Sequence, residues 1–98
     1  MYRERIILRT KYGTGGQTME LLKRVNEISV RHGAPKGRIL QGVSGQQGTF
    51  VFERDFESYD KFFEVHSKLT SSEAFRKWFP DFQATMDYGV QEYYNIVE

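Results

Sequence analysis

The chain contains no cysteine. Disulfides, thiolate nucleophiles and cysteine-held metals are excluded with it, and the absence fits a reducing compartment. Histidine is scarce, at two residues, and no His, Asp and Glu grouping has metal-ligand spacing. Neither sign of charge dominates: 14 basic and 13 acidic residues leave a formal net charge of +1. A nucleic-acid or anionic-membrane surface needs a basic excess that is missing here. No apolar run approaches the roughly 20 residues of a membrane span. Ile6-Ile7-Leu8, close to the N-terminus, is too short for the apolar region of a signal peptide. The expectation is a cytoplasmic protein without cofactor, metal, nucleic-acid partner or membrane anchor.

Aromatic side chains are what the sequence has in abundance. They make up 15% of the 98 residues, with eight Phe and six Tyr. A chain of this length is expected to form one domain, residues 1–98, with a modest core in which large rings supply much of the buried area.

Periodicity divides that domain into six parts. Residues 5–11 alternate as a strand, with Ile6, Leu8 and Thr10 on one face and Arg5, Ile7 and Arg9 on the other. Tyr12-Gly13-Thr14-Gly15-Gly16 is a loop whose glycine spacing matches no phosphate-binding motif. Thr18 is the expected N-cap of a first helix with Leu21, Leu22, Val25, Ile28 and Ser29 on one face. Gly33 supplies its left-handed stop, and His32 suits the negative end of the helix dipole. Residues 38–44 and 49–56 form two strands around a Gly45-Gln46-Gln47-Gly48 hairpin. Ser58 caps a second helical stretch with the stripe Tyr59, Phe62, Phe63, His66 and Leu69. Thr70 and Glu73 have capping-box spacing for a further segment carrying Phe75, Trp78, Phe79 and Phe82, which Pro80 interrupts, with a kink or break expected near Phe79. Gly89 is expected to end the helical part before a last strand over residues 90–97.

The order is βαββαβ, an α+β ferredoxin-like arrangement of four antiparallel strands with all helices on one face. Ile6, Leu8, Ile39, Val43, Phe50, Phe52, Phe56, Val90, Tyr94 and Ile96 are expected to meet the helices. The opposite side would then carry Ile7, Leu40, Val51, Tyr93 and Val97 among Arg9, Ser44, Glu53, Gln91 and Asn95. That mixture is too apolar for solvent and too polar for a dry core, so a sheet-to-sheet homodimer is expected, with Arg9 and Glu53 pairing across the seam.

Several stretches resemble the dimeric α/β-barrel superfamily, within it the group of NIPSNAP-like and antibiotic-biosynthesis-monooxygenase-like proteins. They are His32-Gly33-Ala34, the run from Phe52 to Tyr59, and the run from Ser71 to Trp78. The resemblance implies a dimeric barrel with a ligand cleft between the sheet and the helices of each protomer. The functions it implies range from cofactor-free oxygenation of aromatic polyketides through haem degradation and lactone isomerisation to no assigned activity. The haem-degrading pattern of an early Asn, then Trp, then His is not met: the first strand has no Asn, and His66 precedes Trp78.

Within that cleft His66 is the candidate general base, because imidazole titrates near neutral pH; a satisfied helix-end histidine is the competing reading. Trp78 is a candidate wall for a planar ligand or else simple core. Tyr94, Arg54 and Tyr59 complete the candidate ligand-binding set, with Arg54 alternatively paired to Glu92. No serine has a recognisable His and Asp arrangement. An RNA-recognition motif in the third strand would need a basic residue at Gln46, and only Phe50 and Val51 fit it. A small apolar or aromatic ligand in the cleft is the leading expectation. A cofactor-independent monooxygenase or isomerase and a non-catalytic interaction module are the alternatives.

Overall fold

A computed structural model describes every residue except Gln46, so one position of the expected hairpin lies outside the described residues. The elements are β1 (Tyr2–Thr10), α1 (Gly15–Arg31), β2 (Arg38–Gln41), β3 (Thr49–Phe56), α2 (Tyr59–Thr70), α3 (Glu73–Thr85) and β4 (Met86–Asn95). They build one antiparallel sheet in the order β2-β3-β1-β4. The helices cover one face, and the expected α+β ferredoxin-like arrangement is the one found.

Buried side chains show how the strand period produces that layering. Leu8, Phe50, Phe52 and Phe56 lie at alternate positions of the two central strands and are buried, the first three beside Leu21, Leu22, Val25 and Ile28 of α1. Leu69 of α2 and Trp78 of α3 close the main cluster, while Phe62 and Val65 pack with Ala34 and Phe56 in a second one. Phe63, expected on the buried stripe, is more than half exposed, and Val65 takes that place.

Helix ends depart from the sequence reading where tertiary contacts decide them. α1 begins at Gly15 rather than after Thr18, because the Thr14 hydroxyl is held by the Lys11 and Thr85 carbonyls. Thr18 is instead fully buried inside the helix and donates to the Thr14 carbonyl. At the other end Gly33 adopts φ +95° as expected, and His32 Nδ1 lies 2.9 Å from the Ile28 carbonyl. Ser58 caps α2 by accepting from the Lys61 N–H. Ser72, not Thr70, caps α3, since Thr70 still belongs to α2 and bonds back to the His66 carbonyl. α3 continues through Pro80 without a break. Pro80 lies on the exposed side, where water can satisfy the carbonyl a turn earlier. The helix passes directly into β4 at Met86, so Gly89 is a strand residue rather than a helix stop.

β2 is shorter than expected and ends at Gln41, leaving Val43 almost fully exposed rather than in the core. Gly42 still donates to the Thr49 carbonyl, and the chain then leaves the sheet.

The largest departure concerns β4. Its register against β1 sets Ile6 opposite Gln91, Leu8 opposite Gly89 and Glu4 opposite Tyr93. Directly opposed residues share a face, so Tyr93, Gln91 and Gly89 look toward the helices. Val90 and Tyr94, expected there, lie on the outer face opposite Ile7 and Arg3. Alternation identifies which residues share a face but not which face is buried, and the two halves of this strand differ little in polarity. Within the chain Glu53 pairs with Arg5 at 3.2 Å and Arg9 approaches Asp87 at 3.8 Å. Arg3 grips Asp55 with two hydrogen bonds, which hold the Asp55 carboxyl below its usual pKa.

Gly37 sits where α1 meets the sheet. Asn26 of α1 brackets it, donating to its carbonyl at 3.0 Å and accepting from its N–H at 2.8 Å. A methyl at Gly37 would overlap the Phe52 ring and lie 2.9 Å from Arg54 Cγ. Gly37→Ala is therefore expected to destabilise the fold by about 1–3 kcal/mol, the usual cost of overpacking a filled core, read from the urea midpoint against wild type.

Candidate functional site

A cavity of about 530 Å³ lies between the helices and the inner face of the sheet. Its floor carries Glu4, Ile6 and Leu8 from β1, Phe52 and Arg54 from β3, and Gly89 and Gln91 from β4. Gly89 helps to keep the floor open: a Cβ there would come within 3.1 Å of Leu8 Cδ2. Leu22, Val25 and Ser29 of α1 form one wall, and His66, Leu69 and Thr70 of α2 form another. The third wall is the aromatic face of α3, with Phe75, Trp78, Phe79 and Phe82 at helical spacing.

Trp78 is a fixed part of that wall. It is buried, its indole N–H donates to the Leu21 carbonyl at 2.7 Å, and its ring stacks on Phe82 at 4.6 Å between centroids. The N–H is thereby taken up inside the protein. His66 is half-buried at the rim, with its ring stacked on Phe62.

Arg54 lies on the floor, but its partner is not Glu92. Glu92 opposes Arg5 on the other side of the sheet, whereas Arg54 opposes Glu4 on the inner face. Arg54 Nε and Nη2 both donate to Glu4 Oε1, at 2.9 and 2.6 Å. The pair is almost wholly removed from solvent, with side-chain exposures of 5% and 3%. The guanidinium also lies over the Phe52 and Phe56 rings, 5.1 and 5.4 Å from their centroids, which adds cation–π attraction.

Tyr94 and Tyr59 stand elsewhere. Tyr94 is on the outer face, where its hydroxyl donates to Glu92 and that bond raises its pKa. Tyr59 is half exposed at the start of α2 and packs edge-on against Tyr2, outside the cavity lining. The cavity thus gathers His66, Trp78 and Arg54 but neither of these tyrosines. Tyr93 takes the inner position instead, stacked on Tyr2, tilted on Phe62 and opposite Glu4. Burial, then the negative charge of Glu4, raises its pKa.

Sequence reasoning missed Glu4, Gln91 and Tyr93. Extending the Ile6, Leu8 alternation back by two residues reaches Glu4, so a signal existed. A carboxylate next to two arginines in Arg3-Glu4-Arg5 reads as a solvated strand end, and only the Arg54 position makes it a buried pair.

Four antiparallel strands covered on one side, with a largely apolar cleft beneath the helices, define a ferredoxin-like α+β protein. Solved structures with the same arrangement narrow this further. A NIPSNAP domain protein from Burkholderia xenovorans superposes with a TM-score of 0.84 at 13% identity, over 99% of this chain and 95% of that one. A NIPSNAP family protein of unknown function from Agrobacterium tumefaciens gives 0.86 at 17% identity, over 96% and 86%. An antibiotic biosynthesis monooxygenase gives 0.76 at 15% identity over the full length of both chains. The fold is therefore that of the NIPSNAP-like and monooxygenase-like group, as the resemblance implied. No family model and no curated protein matches the sequence.

The buried pair has a measurable signature. Arg54→Met strands the Glu4 charge and is expected to cost about 3–5 kcal/mol, whereas Glu4→Leu with Arg54→Met is expected to recover most of that loss. Urea denaturation of the single and double variants measures both. Equal losses in the two would show that the Arg54 stem, not the ion pair, dominates.

Proposed function

We propose that this protein binds a small, largely apolar or aromatic molecule in the cleft between its sheet and helices. The observation that carries the reading is the cleft itself. A chain of 98 residues with eight Phe leaves about 530 Å³ unfilled against a wall of rings. Proteins fill most of their interior at crystal-like density, and a pocket of this size with few polar groups suits a flat ligand. Trp78 is the one tryptophan in the chain and lines the cleft. Titration with planar phenols and quinones is therefore expected to change its emission saturably. Unchanged emission together with no heat of binding for any of them would remove the reading.

A second reading, a cofactor-independent oxygenase or isomerase, is favoured by the imidazole at the rim of the same cleft. In that reading His66 relays a proton to or from the bound molecule. The likeness to a monooxygenase at 15% identity carries only the fold.

We also propose that two copies meet through their outer sheet faces. Ile7, Leu40, Val51, Val90 and Tyr94 lie together on that side among Arg–carboxylate pairs. Val90 and Tyr94 are 44% and 46% exposed in the single chain, and they stand on this face where Tyr93 and Val97 were expected. Sedimentation at micromolar concentration is expected to show a dimer that Val90→Asp converts to monomer. A monomeric wild type would contradict the proposal.

A further inference from the structure

Resting on the cleft as the ligand site, we propose that it selects molecules carrying a hydrogen-bond donor, such as a phenol, enol or amide N–H, and seats that donor on Glu4 Oε2. Arg54 directs both of its bonding nitrogens at one oxygen, Glu4 Oε1. The pair therefore has two atoms left over, an acceptor on Glu4 and a donor on Arg54. They differ in reach. Arg54 Nη1 is sealed from solvent without a partner, so no ligand atom approaches it in this arrangement. Glu4 Oε2 takes no hydrogen bond from the described residues and is not among the sealed atoms, and Glu4 lines the cavity.

The other polar groups reinforce this polarity. The Trp78 N–H donates to the Leu21 carbonyl, the Ser29 hydroxyl to Val25 and the Thr70 hydroxyl to His66. These three donors are turned inward to the backbone, while the His66 imidazole, nearer the rim, can donate or accept according to its tautomer and so does not discriminate. Gln83 and Gln91 are exposed amides at the margin. They offer donor and acceptor alike and so do not discriminate. The deep polar feature is a carboxylate oxygen in an apolar surround. A ligand without a donor leaves it unpaired, and a ligand carboxylate faces its charge; either is expected to weaken binding about tenfold or more.

The test compares three probes of one shape by titration calorimetry: 2-naphthol, 2-methoxynaphthalene and 2-naphthoate. The expected result is 2-naphthol binding at least tenfold more tightly than either of the others. In Glu4→Leu/Arg54→Met, a substitution that removes both charges, the naphthol advantage over the ether is expected to disappear. Equal affinities for all three in wild type would overturn the donor preference while leaving the cleft as a binding site. Tightest binding of 2-naphthoate would overturn it in favour of Arg54. A naphthol preference that survives in the double variant would overturn the assignment to Glu4. Absence of binding by all three would remove this proposal together with the cleft reading beneath it.

Discussion

The register between β1 and β4 is the constraint on which the rest of this structure depends. With Ile7 opposite Val90 and Leu8 opposite Gly89, the β4 residues from 88 to 95 have their sides assigned, because a slip of one position would exchange the two faces completely. This register brings a glycine and a glutamine to the floor of the cleft. It sends Val90 and Tyr94 to the outer surface, where they join Ile7 and Val51. One pairing therefore shapes the cavity floor on one side and the composition of the outer face on the other.

A second constraint follows from size. Helices cover only one face of a four-stranded sheet, and in this chain they do not fill the space beneath them. Trp78 and Phe82 stack on each other, and the Trp78 N–H is anchored in α1, so the wall is held from behind and has little freedom to collapse inward. Gly89 removes the side chain that would have met Leu8 from β4. The buried Glu4–Arg54 pair gives this largely apolar space a deep charged point. A pair so desolvated is weak evidence for stability, since its Coulombic gain is offset by lost hydration.

Much of the fold was legible in the residues. The alternation of Ile6 and Leu8, and of Phe50, Phe52 and Phe56, identified the inner face of the central strands. The helical spacing of Leu21, Leu22, Val25 and Ile28 identified the core side of α1, and Ser58 and Gly33 marked real helix boundaries. The candidate site was legible in part. His66, Trp78 and Arg54 do line one cavity, whereas Tyr94 was set on the wrong side and Arg54 was given the wrong partner. Both errors have one origin: in β4 the two alternating sets, Val90 with Tyr94 and Gln91 with Tyr93, each offer one aromatic ring, and nothing local ranks them. Thr14, Thr18 and Ser72 show the same limit at helix ends, where contacts from distant segments chose among several competent caps.

The sequence by itself determined the order of elements and the apolar faces of the elements with strong periodic contrast. It also determined the absence of thiol chemistry, because those follow from local period and from composition. Only the tertiary structure decided which face of β4 turns inward, that Glu4 meets Arg54, and that a cavity stays open beneath Trp78. Each of these depends on strand register and on packing between residues far apart in the chain, and neither is encoded in any single stretch of it.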